Sequence, residues 1–250
     1  MPRYTTSRLT QVSRWIAEKA VELDTPVSIG ALCQSAVARL GVSGVVLTMD
    51  TSGWPELRCA TDVLGEQLTE LQVTVGEGPA VDVWRGGGPA LVADLDALSS
   101  QARWPLFAPL AVEAGAGSLF ALPLCVGAIR VGLLSLYRVE AGHLDGPALT
   151  DALAFAELAL RLLLDEQVGL DATGGTDDDL PLHNPRVHQA TGMVAAQLDV
   201  GMADAFAHLR ARSFAEQRPL SDLAADVVAR RRRFDRDGND HDNGRDTTGL

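Results

Sequence analysis

The run Asp171–Asp179 (DATGGTDDD) constrains the fold more than any other feature. Asp, Thr and Gly at that density make a flexible polar connector, and the hydrophobic texture differs on its two sides. Before it, helical periodicities alternate with short β-branched runs. After it, from 184 to 234, there is no strand signal at all. The 250 residues therefore divide into a mixed domain over 1–170, a linker over 171–183 and a helical unit over 184–234. A final stretch, 235–250, has a single apolar residue, Leu250, and is expected to be disordered.

In the first domain, Leu9, Val12, Trp15, Ile16, Ala20 and Leu23 recur at helical spacing and predict a helix over 7–23. A second helix is predicted over 26–40, with Pro26 in its first turn, Ser28 as a rival cap and Gly41 after its end. Strands are predicted at Gly44–Met49, Pro89–Ala93, Ser118–Leu124 and Ile129–Tyr137, with a turn at Asp50–Gly53. The last two flank Cys125–Ala128 and make a hairpin. Helices are expected at 62–72, 79–85 and 104–114. This mixture implies an α+β domain with a central, largely antiparallel sheet flanked by helices. Over 147–170, Leu149, Leu153, Ala156, Leu160, Leu163, Gln167 and Leu170 step alternately by four and three. That spacing suits either a dimerising bundle with helix 7–23 or a helix lying on its own sheet.

The C-terminal unit reads as three helices. Asn184-Pro185 supplies a cap and an N1 proline, followed by a stripe of Val187, Ala190, Val194 and Leu198. Over 202–217 the stripe is Met202, Phe206, Leu209 and Ser213, with Phe214 beside it. Pro219 opens the third helix, carrying Leu220, Leu223, Ala224, Val227 and Val228, with Arg230–Arg233 closing it. On a helical wheel, His188, Gln189, Gly192, Ala195 and Ala196 lie opposite the apolar stripe of the first of these helices. Thr191 falls at its edge, half-buried. A mid-helix glycine costs about 1 kcal/mol relative to alanine, so Gly192 suggests a surface that another helix or a nucleic-acid backbone approaches closely.

Charge sharpens that reading. The chain carries a net charge of −12, but residues 185–234 hold eight arginines against five acids. Any nucleic-acid partner is thus confined to that unit. Arg186, Arg210, Arg212 and Arg218 form a candidate phosphate-facing set, and Arg230–Arg233 also complement a helix C-terminus. Catalytic candidates are wanting. The glycines at 76–78 and 86–88 do not make a nucleotide loop, no nucleophile elbow occurs, and the five histidines show no metal spacing. Cys33, Cys59 and Cys125 stand 26 and 66 residues apart; they form no disulfide framework and read as small apolar thiols. No apolar run is long enough to span a membrane. The first residues lack a secretory core, so a cytoplasmic, non-enzymatic protein with no metal or cofactor is expected.

Val187-His188-Gln189-Ala190-Thr191-Gly192-Met193-Val194, Asp204-Ala205-Phe206-Ala207-His208-Leu209-Arg210 and Leu223-Ala224-Ala225-Asp226-Val227-Val228 together resemble the ANTAR domain over roughly 184–234. Upstream, Val75-Gly76-Glu77-Gly78-Pro79, Val83-Trp84, Ala102-Arg103-Trp104-Pro105 and Phe120-Ala121-Leu122-Pro123-Leu124 resemble the GAF domains that precede ANTAR in actinobacterial regulators, over about 25–168. The resemblance implies a dimeric regulator under sensor control. It would bind a pair of RNA stem-loops in a nascent transcript and prevent a terminator from forming. The GAF-like domain would act as sensor and dimerisation module and could bind a small molecule. RNA contacts are expected at Arg186, His188, Gln189, Thr191, Gly192, Arg210, Arg212 and Arg218. Thr191 stands where the family frequently has a basic residue, so one phosphate contact is missing. Two rival readings remain. One is a DNA-binding regulator using 202–217 and 219–232 as a helix-turn-helix. The other is a ligand-gated dimerisation module without nucleic-acid binding.

Overall fold

A computed structural model describes residues 3–51, 54–173 and 185–235. Of the expected linker 171–183, residues 171–173 are helical and continue the preceding helix, while residues 174–183, the Asn184 cap and the tail 236–250 lie outside the described residues. Two compact units emerge, one built mainly on residues before 184 and the other mainly on residues from 184.

The first unit contains helices α1 (Arg3–Glu22) and α2 (Ile29–Leu40), strands β1 (Gly44–Thr51) and β2 (Trp54–Ala60), then α3 (Val63–Val75) and α4 (Pro79–Trp84). Strand β3 (Ala90–Val92), helices α5 (Leu98–Arg103) and α6 (Phe107–Glu113), the pair β4 (Ser118–Val126) and β5 (Ile129–Arg138), and α7 (Gly146–Thr173) complete it. The five strands lie in the order β2-β1-β5-β4-β3, and every neighbouring pair is antiparallel. This is the α+β architecture expected, with the 118–138 hairpin in place. Ser28, not Pro26, starts α2: its hydroxyl accepts from the Ala31 amide and its backbone is extended, as an N-cap requires.

Alternation along the strands sorts the sheet into two faces. Val45, Leu47 and Met49, with Phe120, Leu122, Leu124, Leu134 and Leu136, join Val12, Ile16, Leu32, Phe155, Ala159 and Leu163 in one core beneath α1, α2 and α7. The line α7 buries is Ala152, Phe155, Ala156, Ala159 and Leu163, whereas Leu153 of the expected seam is 50% exposed. Helix α7 thus packs on its own sheet and helices along a line shifted from the heptad stripe. A hydrogen-bonded ion pair between Arg8 and Asp151 ties α1 to α7.

Two elements depart from the sequence reading. The strand β2 was not anticipated, because Pro55, Glu56 and Arg58 interrupt its apolar pattern. It is an edge strand, where proline is tolerated. The helix expected over 104–114 is α6, which starts only at Phe107, and α5, which was not expected, ends at Arg103 just before Trp104-Pro105. A residue before proline is disfavoured in helical geometry, and Trp104 leaves it at φ −132° and ψ 70°.

The second unit comprises α8 (Pro185–Leu198), α9 (Met202–Ala215) and α10 (Leu220–Val228). Ala190, Val194, Leu198, Ala205, Phe206, Leu209, Leu220, Leu223, Ala224 and Val227 are buried. Met202, placed in the α9 stripe by its spacing, is 48% exposed, with Ala205 taking the inward position. All three helices end in the same way. Asp199, Gln217 and Arg230 adopt left-handed φ of 55°, 51° and 58°. The next amide in each case reaches back, from Val200 to Ala195, Arg218 to Ser213 and Arg231 to Asp226. These are Schellman stops made without glycine. The third corrects the sequence reading: Arg230–Arg233 do not close the helix but follow its end. The chain then folds back so that Phe234 is buried and its amide donates to Gln197 Oε1 of α8 at 2.9 Å.

Candidate nucleic-acid interface

Helix α8 presents its polar face to solvent. Arg186, Gln189 and Ala196 are exposed, and Gly192 and Ala195 are half-buried. A Cβ built on Gly192 meets nothing within 4 Å, and its φ is not in the left-handed region. Neither backbone geometry nor packing of the described residues therefore requires glycine there. His188 lies on the same helix; only its backbone is described.

Thr191 sits deeper than the half-buried position expected. It is 2% exposed, and its hydroxyl donates to the Val187 carbonyl at 2.7 Å. The hydroxyl is spent within the helix, so Thr191 offers no group to a partner and acts as core.

The arginines fall into two groups. The Arg210 guanidinium lies 5.9 Å from the centroid of the Phe206 ring, a cation–π distance. Arg212 and Arg218 belong to a cluster that also takes in Arg231 and Arg232, which the spacing did not single out for a site. Glu216 accepts from Arg212 at 2.5 Å and from Arg232. Asp226 accepts from Arg218 at 2.7 Å and from Arg231 at 2.9 Å. Burial works against ionisation of Glu216, but the hydrogen bonds and charges of Arg212 and Arg232 outweigh it and hold the carboxyl below its usual range. Asp226 is held down by hydrogen bonds from Arg218 and Arg231, and the Arg218 guanidinium is raised by its bond to Asp226. Four guanidiniums share Glu216 and Asp226, with Asp222 also acting on Arg218, so the cluster keeps one positive charge in excess, its arginines fixed in orientation by ion pairs. No spacing rule reveals this arrangement, because Arg231 and Arg232 reach it through the αL stop at Arg230.

The opposite face of the first unit's sheet carries a cavity of ≈ 10 Å³ lined by Val46, Gly65, Leu68, Gln72, Leu119 and Tyr137, among others. That is room for about one water, far below the ~300 Å³ of an ordinary ligand site. The Tyr137 ring occupies the space a larger residue at Gly44 would need. Its hydroxyl donates to Asp62 Oδ1 at 2.8 Å, which also accepts from the Gly65 amide at 2.8 Å. Burial and the neighbouring carboxylate push the Tyr137 phenol well up.

On the helix-covered face, Cys33 of α2 is fully buried and Cys59 of β2 half-buried, while Cys125 is exposed. The neighbouring Cys59 and burial push the Cys33 thiol up, and Cys33 in turn lowers Cys59. Among the described residues no group of three or more His, Cys, Asp or Glu is placed to hold a metal ion, and no helix is long and apolar enough to cross a membrane.

Residues 182–228 match the ANTAR domain family. No curated relative matches the chain. Among solved structures, the GAF domain of a phosphoenolpyruvate-protein phosphotransferase from Acinetobacter is similar at 11% identity and TM-score 0.47, covering 70% of this chain and 99% of that one. The corresponding GAF domain from Coxiella burnetii aligns at 15% identity and TM-score 0.46, over 66% and 98%. Free methionine-R-sulfoxide reductase from Neisseria meningitidis aligns at 18% identity and TM-score 0.38, over 67% and 89%.

Proposed function

We propose that the chain is an RNA-binding regulator that promotes transcription antitermination through its C-terminal three-helix unit. The N-terminal GAF-like unit acts as sensor and dimerisation module, in the cytoplasm. Gly192 carries the reading. It interrupts the middle of α8, nothing in the described structure fills or needs its vacant side, and it lies inside the ANTAR match. A helix keeps a residue about 1 kcal/mol worse than alanine where a partner's backbone comes within a methyl group's reach. The excess charge of the Arg212–Arg218–Arg231–Arg232 cluster supplies ordered phosphate donors. RNA contacts are assigned to Arg186, His188, Gln189, Gly192, Arg210, Arg212 and Arg218. Thr191 is withdrawn from that set by its burial.

The DNA-binding alternative is disfavoured by α10. Its buried side holds Leu220, Leu223, Ala224 and Val227, which leaves Ser221, Asp222, Ala225 and Asp226 outward. Helix α10 carries no Arg, Lys, Asn or Gln to read base edges in a groove. The test is a titration of the full chain against a two-stem-loop RNA from the host's leader transcripts and against duplex DNA of matched length, across a salt series. RNA binding that weakens with salt and with Arg186→Ala supports the reading. Preference for the duplex selects the DNA regulator, and binding to neither selects the dimerisation module.

A further inference from the structure

We propose that Phe214 is a stacking platform for an unpaired base of the RNA, and that through it the three-helix unit tells a looped strand from a closed duplex. The inference rests on the RNA-binding reading above. Residues 185–235 contain three aromatic side chains, all phenylalanines. Phe206 and Phe234 are 4% and 5% exposed, whereas Phe214 is 47% exposed. Its chain neighbour Ser213 is 1% exposed, so the last turn of α9 sets a serine inward and a phenylalanine outward. The serine has a local reason. Its hydroxyl donates to the Arg218 carbonyl at 2.6 Å, and its own carbonyl accepts from the Arg218 amide at 3.1 Å, which clamps the turn after the helix. That turn makes no demand on the side chain at 214, because it is the backbone carbonyl of Phe214 that accepts from the Gln217 amide. A ring held out where burial would stabilise it breaks the pattern of the unit's other aromatics, and such breaks belong to surfaces that meet a partner.

The neighbours of the ring select that partner. On a helix, the residues three and four before a side chain lie beside it, and here they are Ala211 and Arg210. Ala207, Ala211 and Ala215 are all exposed and keep the outward side of α9 low around the ring. Arg210 already lies against an aromatic ring, that of Phe206. Arg212 and Arg218 bracket Phe214 along the chain, and Glu216 and Asp226 fix their guanidiniums. A partner that fits must offer a flat π-face and carry negative charge beside it. A nucleotide does both in one residue: the base stacks on Phe214 and its phosphates meet the arginines. In a closed duplex each base face is covered by its neighbours, so the ring has nothing to stack on there. Stacking tolerates every base. Phe214 therefore adds affinity for an open loop and not for a particular letter.

The experiment titrates the full chain against a two-stem-loop RNA from the host's leader transcripts, and against the same RNA annealed to its complement so that both loops are closed. Phe214→Ala should lower affinity for the looped RNA about tenfold and leave binding to the annealed duplex unchanged. Phe214→Tyr keeps the π-face and should bind as the wild type does. Phe214→Leu keeps the apolar bulk without that face and should lose as much as alanine. The slope of log affinity against log salt should be the same in all of them, since no phosphate contact is removed. In the wild type, 5-iodouridine placed at successive loop positions and irradiated should attach to the peptide that carries Phe214. Leucine binding as tightly as phenylalanine would overturn the proposal, and so would crosslinks that form only elsewhere in the unit. A changed sedimentation of Phe214→Ala with loop affinity intact would overturn it in favour of a second copy of the chain packed on the ring. The comparison of tyrosine with leucine decides the matter even if alanine disturbs the fold. A wild-type chain that binds no RNA would sink the RNA-binding reading and this inference with it, whereas RNA binding that is insensitive to the ring would sink this inference alone.

Discussion

Replacing Gly192 with alanine separates a folding role from a binding role, because the two predict effects of opposite sign. A Cβ at this position has open space around it, and the backbone is already helical. The substitution therefore adds no clash and removes the conformational freedom glycine gives the unfolded chain. The unit should gain about 1 kcal/mol. Under conditions where amide exchange follows the opening equilibrium, that is roughly a fivefold slowing of the α8 amides. Exchange is the assay of choice because Trp15, Trp54, Trp84 and Trp104 all lie before the linker, so tryptophan fluorescence is blind to the second unit. At a closely packed RNA backbone the same methyl group overpacks the interface by about 1–3 kcal/mol, a loss of roughly thirtyfold in affinity near the middle of that range. Faster exchange in α8 would refute the argument outright, since it would mean that glycine serves the fold. Slower exchange with unchanged RNA affinity would remove Gly192 from the interface and leave the arginine cluster to carry the proposal alone.

Thr191→Val keeps the buried shape and deletes only a hydroxyl committed to the Val187 carbonyl; RNA affinity should not move, and stability should change by less than about 1 kcal/mol. By contrast Thr191→Arg puts a guanidinium at a buried position and should lower the melting temperature of the unit in a circular-dichroism melt. Gln217→Gly relieves a left-handed φ on a side-chain-bearing residue and should stabilise the second unit by about 1 kcal/mol, read by the same exchange measurement. Glu216 and Asp226 are both held below their ordinary pKa of 4.5 and 3.8. Their stabilisation is therefore complete above those values and is lost as pH falls through the depressed ones. Acid titration should loosen the α9–α10 region below about pH 4, and Glu216→Gln with Asp226→Asn should flatten that dependence.

Local signals carried the reading of the fold as far as local causes decide it. The 118–138 hairpin and the proline-led starts of α4 and α8 each depend on neighbours within a few residues, and all are found where proline, glycine and alternating apolar residues put them. The misses have tertiary causes. The strand β2 is polar because it lies at a sheet edge, and edge position is a property of the whole sheet. Met202 and Leu153 fit their stripes by spacing, yet both are about half exposed, because alanines at 205, 152 and 156 let the helices approach along a neighbouring line.

The arginines make the sharper case. Spacing assigns Arg212 and Arg218 to a surface and hands Arg230–Arg233 to a helix end. What joins them is the left-handed turn at Arg230, adopted by a residue with no sequence signature for it. That turn brings Arg231 back to Asp226 and Arg232 to Glu216, and Phe234 anchors the return. A surface phosphate site made of mobile arginines must order each side chain on binding, at about 0.5–1.5 kcal/mol apiece. Here two carboxylates have already ordered four of them without cancelling all their charge. The modest net charge of the unit is therefore compatible with phosphate binding, because the charge that remains is concentrated and pre-oriented. It also follows that Phe234→Ala should weaken RNA binding without touching a single charged group, by releasing the segment that holds Arg231 and Arg232 in place.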